Sequence, residues 1–389
     1  MTTWVDGRGL QSGFKEHAGR GIGTYVASLA QALDERAAED EVRFFVEKGA
    51  ELIAPVPLQR RVLAPSVPGG ASRFATLLRQ HSTLSLWLAK RRPAAVHFAA
   101  QTDAPALCAV PTIVTVHDVV LHRHGEWYES SGEGSSGWRF RVLRALERHA
   151  ILRASRIIVP SRVTADELAA SLQVPPHRIV VVPEAPADRF RAPPSAADAD
   201  VRRRLGLPPR YLLHPGGGDA RKRLPDLVRV FADVARERPE LCLVLLGRVS
   251  LGDGASELAR AVEASGVRDR IRVPGIVDAR DVPAVYRGAE AVVLATRHEG
   301  FGLPVVEAFA AGAPVVATAA SAIAEVAGDA ARLVPVDQPA ALGEAIRTVL
   351  DDAALREELR ARGRRRSEQF RWELAAEETL AVYAQVARA

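Results

Sequence analysis

The chain has 389 residues, 48% of them hydrophobic and 25% charged, and a formal net charge of +5. That length exceeds what one hydrophobic core usually supports, so two domains are expected. The modest positive balance suits an anionic substrate such as a nucleoside diphosphate, while no aromatics interleave with the basic residues as single-strand nucleic-acid binders need, so no nucleic-acid partner is expected.

The N-terminus, MTTWVDGRGL, lacks the apolar segment of a signal peptide, and no apolar stretch reaches the roughly 18–20 residues that span a bilayer. The expected location is the cytoplasm. Gly21, Ile22 and Gly23 make a tight turn opening a helix over 25–33, and glycine there permits close approach to a phosphate or sugar. Strands are read at 42–46, 95–98 and 113–116, the last running into His117 and Asp118. A loop at 122–137, dense in Gly, Ser and Glu, carries Trp127 and Tyr128, two aromatics able to stack on a sugar ring. Basic amphipathic stretches at 73–92 and 139–156 read as solvated faces, with a peripheral contact to the inner face of the membrane as the alternative. Residues 186–209, rich in Pro, Ala and Asp, read as a linker. The expected division is therefore 1–185, the linker, a second domain over 210–369, and a terminal amphipathic helix over 370–389.

The second domain opens with a strand at 211–214 and a run of three glycines. Further strands at 241–246, 271–273 and 291–296, with helices between, give the βαβα rhythm of a parallel sheet. Two adjacent cations, Arg221 and Lys222, follow the glycines and can neutralise a departing diphosphate. Glu299 and Glu307 stand with seven residues between them in Glu299-Gly-Phe-Gly-Leu-Pro-Val-Val-Glu307, the first in a strand-to-helix loop and the second on the helix. That loop is the place where ligands bind in an open α/β sheet. An ionised carboxylate only accepts hydrogen bonds, so its partner is a hydroxyl pair, as on a ribose or hexose, and not a diphosphate. The helix N-terminus suits the phosphate. Asp198-Ala-Asp200 has metal-ligand spacing but lies in the expected linker, so no metal and no cofactor are expected. Cys108 and Cys242, one per domain and without ligand partners nearby, read as buried free thiols.

Residues 297–314 (RHEGFGLPVVEAFAAGAP) resemble the signature of retaining glycosyltransferases of family 4. Residues 19–25 (GRGIGTY), 115–118 (TVHD), 155–161 (SRIIVPS), Arg221-Lys222 and 370–372 (FRW) resemble other segments of that family, in the expected order. The resemblance implies the GT-B fold, an α/β architecture of two Rossmann-like domains facing across a cleft, with a C-terminal helix crossing back to the first. It also implies metal-independent transfer of a hexose from a nucleoside diphosphate to a hydroxyl, giving an α-glycoside.

Within that resemblance Glu299 would hold the donor sugar, Glu307 the ribose, and Arg221 and Lys222 the diphosphate. Gly300, Phe301, Gly302 and Leu303, with Gly21, Ile22 and Gly23, would add contacts to the donor. His117 would bond the sugar or the acceptor, and Asp118 would orient His117 or the next loop. Tyr25, Asp118, Trp127 and Tyr128 would meet the acceptor, expected to be a glycan. Arg223 stands where the family often has asparagine. The resemblance to bacterial mannosyltransferases of polysaccharide synthesis points to GDP-mannose, with UDP- and dTDP-sugars as alternatives. A phosphorylase or epimerase on the same fold, and a non-catalytic partner subunit, are the other classes weighed. The first of these needs a cofactor lysine, and the chain has only Lys15, Lys48, Lys90 and Lys222.

Overall fold

Two six-stranded sheets, parallel throughout, carry the chain in a computed structural model. The structure describes residues 2–11, 21–38, 40–48, 67–68, 80–129, 138–251 and 256–388. One unit comprises residues 1–184 with 371–389, and the other residues 185–370.

In the first unit the strands are β1 (Thr3–Asp6), β2 (Val42–Phe45), β5 (Ala95–Phe98), β6 (Thr112–Thr115), β7 (Arg156–Val159) and β8 (Ile179–Val181), in the order β2-β1-β5-β6-β7-β8. A small parallel pair, β3 (Glu47–Lys48) and β4 (Val67–Pro68), stands apart. Both β5 and β6 are buried along their whole length, which is why they read as unbroken apolar runs and not as alternating strands. Phe45, Leu84, Leu88, Phe98, Val114 and Ile151 are central to one face of this core. The helix Gly21–Arg36 and the terminal helix Trp372–Arg388 pack together in this unit, with Tyr25 meeting Trp372 ring to ring.

The second sheet contains β9 (Tyr211–Pro215), β10 (Cys242–Leu246), β11 (Ile271–Gly275), β12 (Ala291–Leu294), β13 (Val315–Thr318) and β14 (Arg332–Val334), in the order β11-β10-β9-β12-β13-β14. Successive strands run outward from β9 one way and, from β12, the other way. The strand order therefore reverses between β9 and β12, the point at which open α/β sheets commonly bind ligands outside the carboxyl ends of their strands. The helix Leu224–Arg236 covers this sheet through Leu227, Val228, Phe231 and Val234, all fully or nearly buried.

The stretch 186–209 is not a linker. It holds a turn at Asp188–Phe190 with Phe190 buried, then the helix Ala197–Arg204, and it belongs to the second unit. Asp198 is clamped by Arg287 through two bonds of 2.5 and 2.7 Å, and Asp200 pairs with Arg203. A guanidinium fork thus holds the Asp198 carboxylate, while Asp200 turns to its own helix. Among the described residues no group of three or more His, Cys, Asp or Glu is set to hold a metal ion. Nor is any described helix long and apolar enough to cross a membrane. Cys108 is half-buried, Cys242 is buried, and both are free thiols.

Candidate active site

In the second unit the site residues come from the loops after β9 and β12, at the reversal of strand order. After β9, the amide N–H of Gly216 donates to the Leu246 carbonyl at 2.7 Å, and Gly216 adopts φ +115°. A methyl group on Gly216 would lie 1.9 Å from Nζ of Lys222. The lysine side chain thus lies directly across the bare glycine, a seat no other residue leaves open. Asp219 then caps a short turn, Ala220–Lys222, by accepting from the Arg221 amide. Arg223 ends it in the left-handed region at φ 54° and pairs with Asp226 and Asp337. This is the position where the resemblance expects asparagine, a residue that adopts that conformation readily.

Arg221 binds the two loops together. Its Nη1 donates to Oε2 of Glu299 at 2.6 Å and to the His298 carbonyl at 3.1 Å. Its own carbonyl accepts from the Arg297 amide at 2.8 Å and from the Thr296 hydroxyl at 3.2 Å. Glu299 is buried, and its backbone carbonyl accepts from the Ser321 hydroxyl at 2.9 Å. Burial pulls the pKa of Lys222 below the usual lysine range, and Arg221 adds to this, although Glu299, Asp219 and Glu307 oppose it. Negative charge bound against Lys222 would offset this lowering.

Gly302 at φ 102° starts the helix Leu303–Ala311, and a methyl there would meet Cδ1 of Ile323 at 2.8 Å. Pro304 has no N–H, and that of Val305 already bonds the Gly302 carbonyl. The amides offered at this helix start are therefore those of Phe301, Gly302 and Leu303. The Phe301 ring itself is buried edge-on against Phe370, 5.6 Å between centroids, so only its backbone faces the helix start, and Gly300 beside it is buried. One turn into the helix, Oε2 of Glu307 accepts from the hydroxyl of buried Tyr286 at 2.7 Å. Burial, then the Glu307 charge, hold the Tyr286 hydroxyl protonated far above its usual range.

In the first unit, His117 follows β6. Its Nε2 lies 2.9 Å from the Ala99 carbonyl and its Nδ1 3.0 Å from Oε1 of Glu184. Gln101 clips the loop from below, its Oε1 accepting from the His117 amide and its Nε2 donating to the Asp118 carbonyl. Asp118 does not bond His117. Its carboxylate accepts from the Val120 amide and so orients the following loop. Tyr25 is buried, with its hydroxyl 3.2 Å from that of Thr115 and its ring against His117, a place beneath the loop and not on an open surface. Thr115 in turn meets His97 Nε2 at 2.8 Å, and His97 Nδ1 meets the Tyr383 hydroxyl at 2.7 Å. A polar chain therefore runs from the terminal helix to the floor of the His117 loop.

Trp127 is stacked on His124, with ring centroids 4.1 Å apart and nearly parallel planes, and Tyr128 falls in the helical turn Glu126–Glu129. Part of the expected 122–137 loop is thus helical, and residues 130–137 lie outside the described residues. Gly21 begins its helix with open space beside it, followed by Ile22 and by Gly23, which is buried, while residues 19 and 20 lie outside the described residues. Sequence reasoning missed Glu184, Gln101, Tyr286 and Asp219. Asp219 had a signal, an acidic residue just ahead of a glycine-flanked turn, whereas the other three reach their partners only through the fold.

Two family models match the chain, Glycosyltransferase Family 4 over residues 19–185 and Glycosyl transferases group 1 over residues 199–366. A D-inositol 3-phosphate glycosyltransferase from Xylanimonas cellulosilytica is 30% identical over 95% of this chain and 92% of its own length. The chain belongs to the family 4 glycosyltransferases. An enzyme of the same name from Kineococcus radiotolerans is 31% identical over 70% of this chain and 66% of its own length. The O-antigen chain mannosyltransferase B of Escherichia coli is 27% identical over 70% of this chain and 69% of its own. The match takes in 57% of the length of another such relative, from Salinispora arenicola. Sucrose-phosphate synthase from Thermosynechococcus elongatus shares the fold, with a TM-score of 0.73 and 22% identity over 99% of this chain and 98% of that one. The lipopolysaccharide-biosynthesis glycosyltransferase WaaG does so with a TM-score of 0.74 and 16% identity over 98% of this chain and 99% of that one. This family 4 glycosyltransferase therefore has the GT-B fold.

Proposed function

We propose that this glycosyltransferase moves a hexose from a nucleoside-diphosphate sugar, GDP-mannose first among the donors, to a hydroxyl of a glycan acceptor with retention of configuration. The observation that carries the reading is the Arg221–Glu299 pair with Lys222 beside it and Glu307 one helix turn on, all at the strand reversal of one sheet. These groups match the parts of such a donor. Donor entry exchanges partners: the diphosphate takes Arg221 and Lys222, and the hydroxyls of the sugar take Glu299. Glu307 receives the ribose hydroxyls, and the amides at the helix start meet phosphate or sugar oxygens. Negative charge grows on the diphosphate as its bond to the sugar breaks, so the cations stabilise the transition state more than the ground state. They do so without a metal ion. The leaving phosphate takes the proton of the incoming hydroxyl.

The mannosyl donor is supported by the likeness to the O-antigen mannosyltransferase. The likeness to several D-inositol 3-phosphate glycosyltransferases supports a second reading, in which the acceptor is a small phosphorylated polyol. A thermal-shift panel of GDP, UDP, dTDP and ADP without added metal tests the donor, because a ligand that binds only the folded state raises the melting temperature by mass action. A shift with GDP alone supports GDP-mannose. A shift with UDP or dTDP instead replaces the donor and keeps the chemistry, and no shift with any of the four overturns the nucleotide-sugar reading.

A further inference from the structure

The His117 ring is tied at both ends to groups of one kind. A backbone carbonyl can only accept a hydrogen bond, and so can an ionised carboxylate. With Nε2 on the Ala99 carbonyl and Nδ1 on Glu184, both nitrogens must carry hydrogen, and a ring with both is an imidazolium. We propose that Glu184 is a positioning residue that keeps His117 doubly protonated, so that His117 acts on bound substrate as a fixed positive charge and not as a proton acceptor.

The groups around the ring agree. Asp118 adds a second negative charge from the same loop, and the Tyr25 ring meets that of His117 at 86°, 4.6 Å between centroids. From β5 comes His97, whose pKa is pushed down to about 3 by burial and then by the charge of His117, so it stays neutral. Among the described residues, one cation thus faces two carboxylates and no second charged base. Burial pulls the pKa of His117 down, but the bond and charge of Glu184, the Ala99 carbonyl and Asp118 together outweigh it and leave it above the usual histidine range. The sequence offers no local sign of this, because Glu184 lies beyond β8, 67 residues along the chain from its partner.

The test has two arms. The first is an NMR titration of the imidazole nitrogens in the full chain labelled at histidine, with His117 assigned from H117N. Both nitrogens should stay protonated at neutral pH in the parent. In E184Q, where a neutral amide can still bond the ring, the midpoint should fall to about 6.5 or below. A parent His117 that is already neutral at pH 7, or a midpoint unmoved by E184Q, overturns the proposal, and the parent titration needs no variant.

The second arm is kcat/KM against pH, and it alone rests on the transferase reading. Over about pH 5.5 to 7.5 the parent should show no loss from His117 deprotonation. E184Q should lose about tenfold per pH unit above its lowered midpoint, a slope the parent lacks. The reverse slope, with E184Q faster than the parent at high pH, would mean that His117 takes a proton, and overturns the proposal. Absence of transfer with every donor, beside a protonated His117, overturns the transferase reading and leaves the assignment of Glu184 standing.

Discussion

Replacing Gly216 by alanine should separate the stability of the second unit from its chemistry. Two costs arise and they are of different kinds. The backbone sits at φ 115°, a region that a residue with a Cβ occupies only at about 1–3 kcal/mol. At the middle of that range, a unit of this size loses about 2–4 °C per kcal/mol, so its melting transition should fall by about 4–8 °C. The methyl would also stand 1.9 Å from the Lys222 ammonium. That group is the free end of a flexible chain, so it swings away at little cost in stability but leaves its seat. A charge-assisted hydrogen bond contributes about 1.5–3 kcal/mol, so nucleoside-diphosphate affinity should fall about 10- to 100-fold. Gly218 is the control, because it has no positive φ and nothing lies within 4 Å of a methyl placed there. G218A should keep both its melting temperature and its affinity. Calorimetry gives the first quantity and titration with GDP or UDP the second. The reasoning fails if G216A melts and binds like the parent, or if G218A loses as much as G216A.

Lys222→Ala should lower kcat by about tenfold or more in single-turnover transfer, since its charge acts on the departing diphosphate; unchanged turnover would remove that role. Glu307→Gln should raise the donor KM with little effect on kcat, and an unaltered KM would show that Glu307 does not hold the ribose. Tyr286→Phe releases one oxygen of Glu307, so the ratio of affinities for GDP and 2′-deoxy-GDP should shrink, and a ratio equal to that of the parent would refute it. Tyr383→Phe leaves Nδ1 of buried His97 without its partner and should cost about 1–3 kcal/mol in the transition of the first unit, read by thermal melts. The same melts should show a pH dependence. Because the folded-state pKa of His117 is raised, its pairing with Glu184 contributes fully below about pH 6.5, and that contribution is lost as pH rises through the raised value.

The parallel sheets were legible because buried strands are short apolar runs: 95–98 matched β5 residue for residue, and 113–116 was displaced by one. The signature around Glu299 and Glu307 located the strand, loop and helix correctly, since Gly302, Pro304 and Gly312 mark that helix at both ends. The stretch 186–209 reads as a linker because its proline and alanine are visible in sequence, whereas the burial of Phe190 and the clamp of Arg287 on Asp198 come only with the fold. The pairings of the site were hidden for a different reason. Arg221 and Glu299 are 78 residues apart and Tyr286 and Glu307 are 21 apart, so only the sheet order brings them together. Tyr25 was expected toward the acceptor, but helical periodicity does not say which apolar-faced hydroxyl ends in a core and which on a surface.

The helix Trp372–Arg388 has a consequence for how the protein is made. It covers Tyr25 and supplies Tyr383 to His97, yet it leaves the ribosome after every other element described. The whole second unit is, in chain order, an insertion between the first sheet and the helix that completes it. Its own sheet can form while synthesis continues, but the polar chain beneath His117 stays open at one end until Tyr383 has been made. A nascent chain halted at residue 370 should therefore hold the whole second unit beside a first unit that still lacks Tyr383.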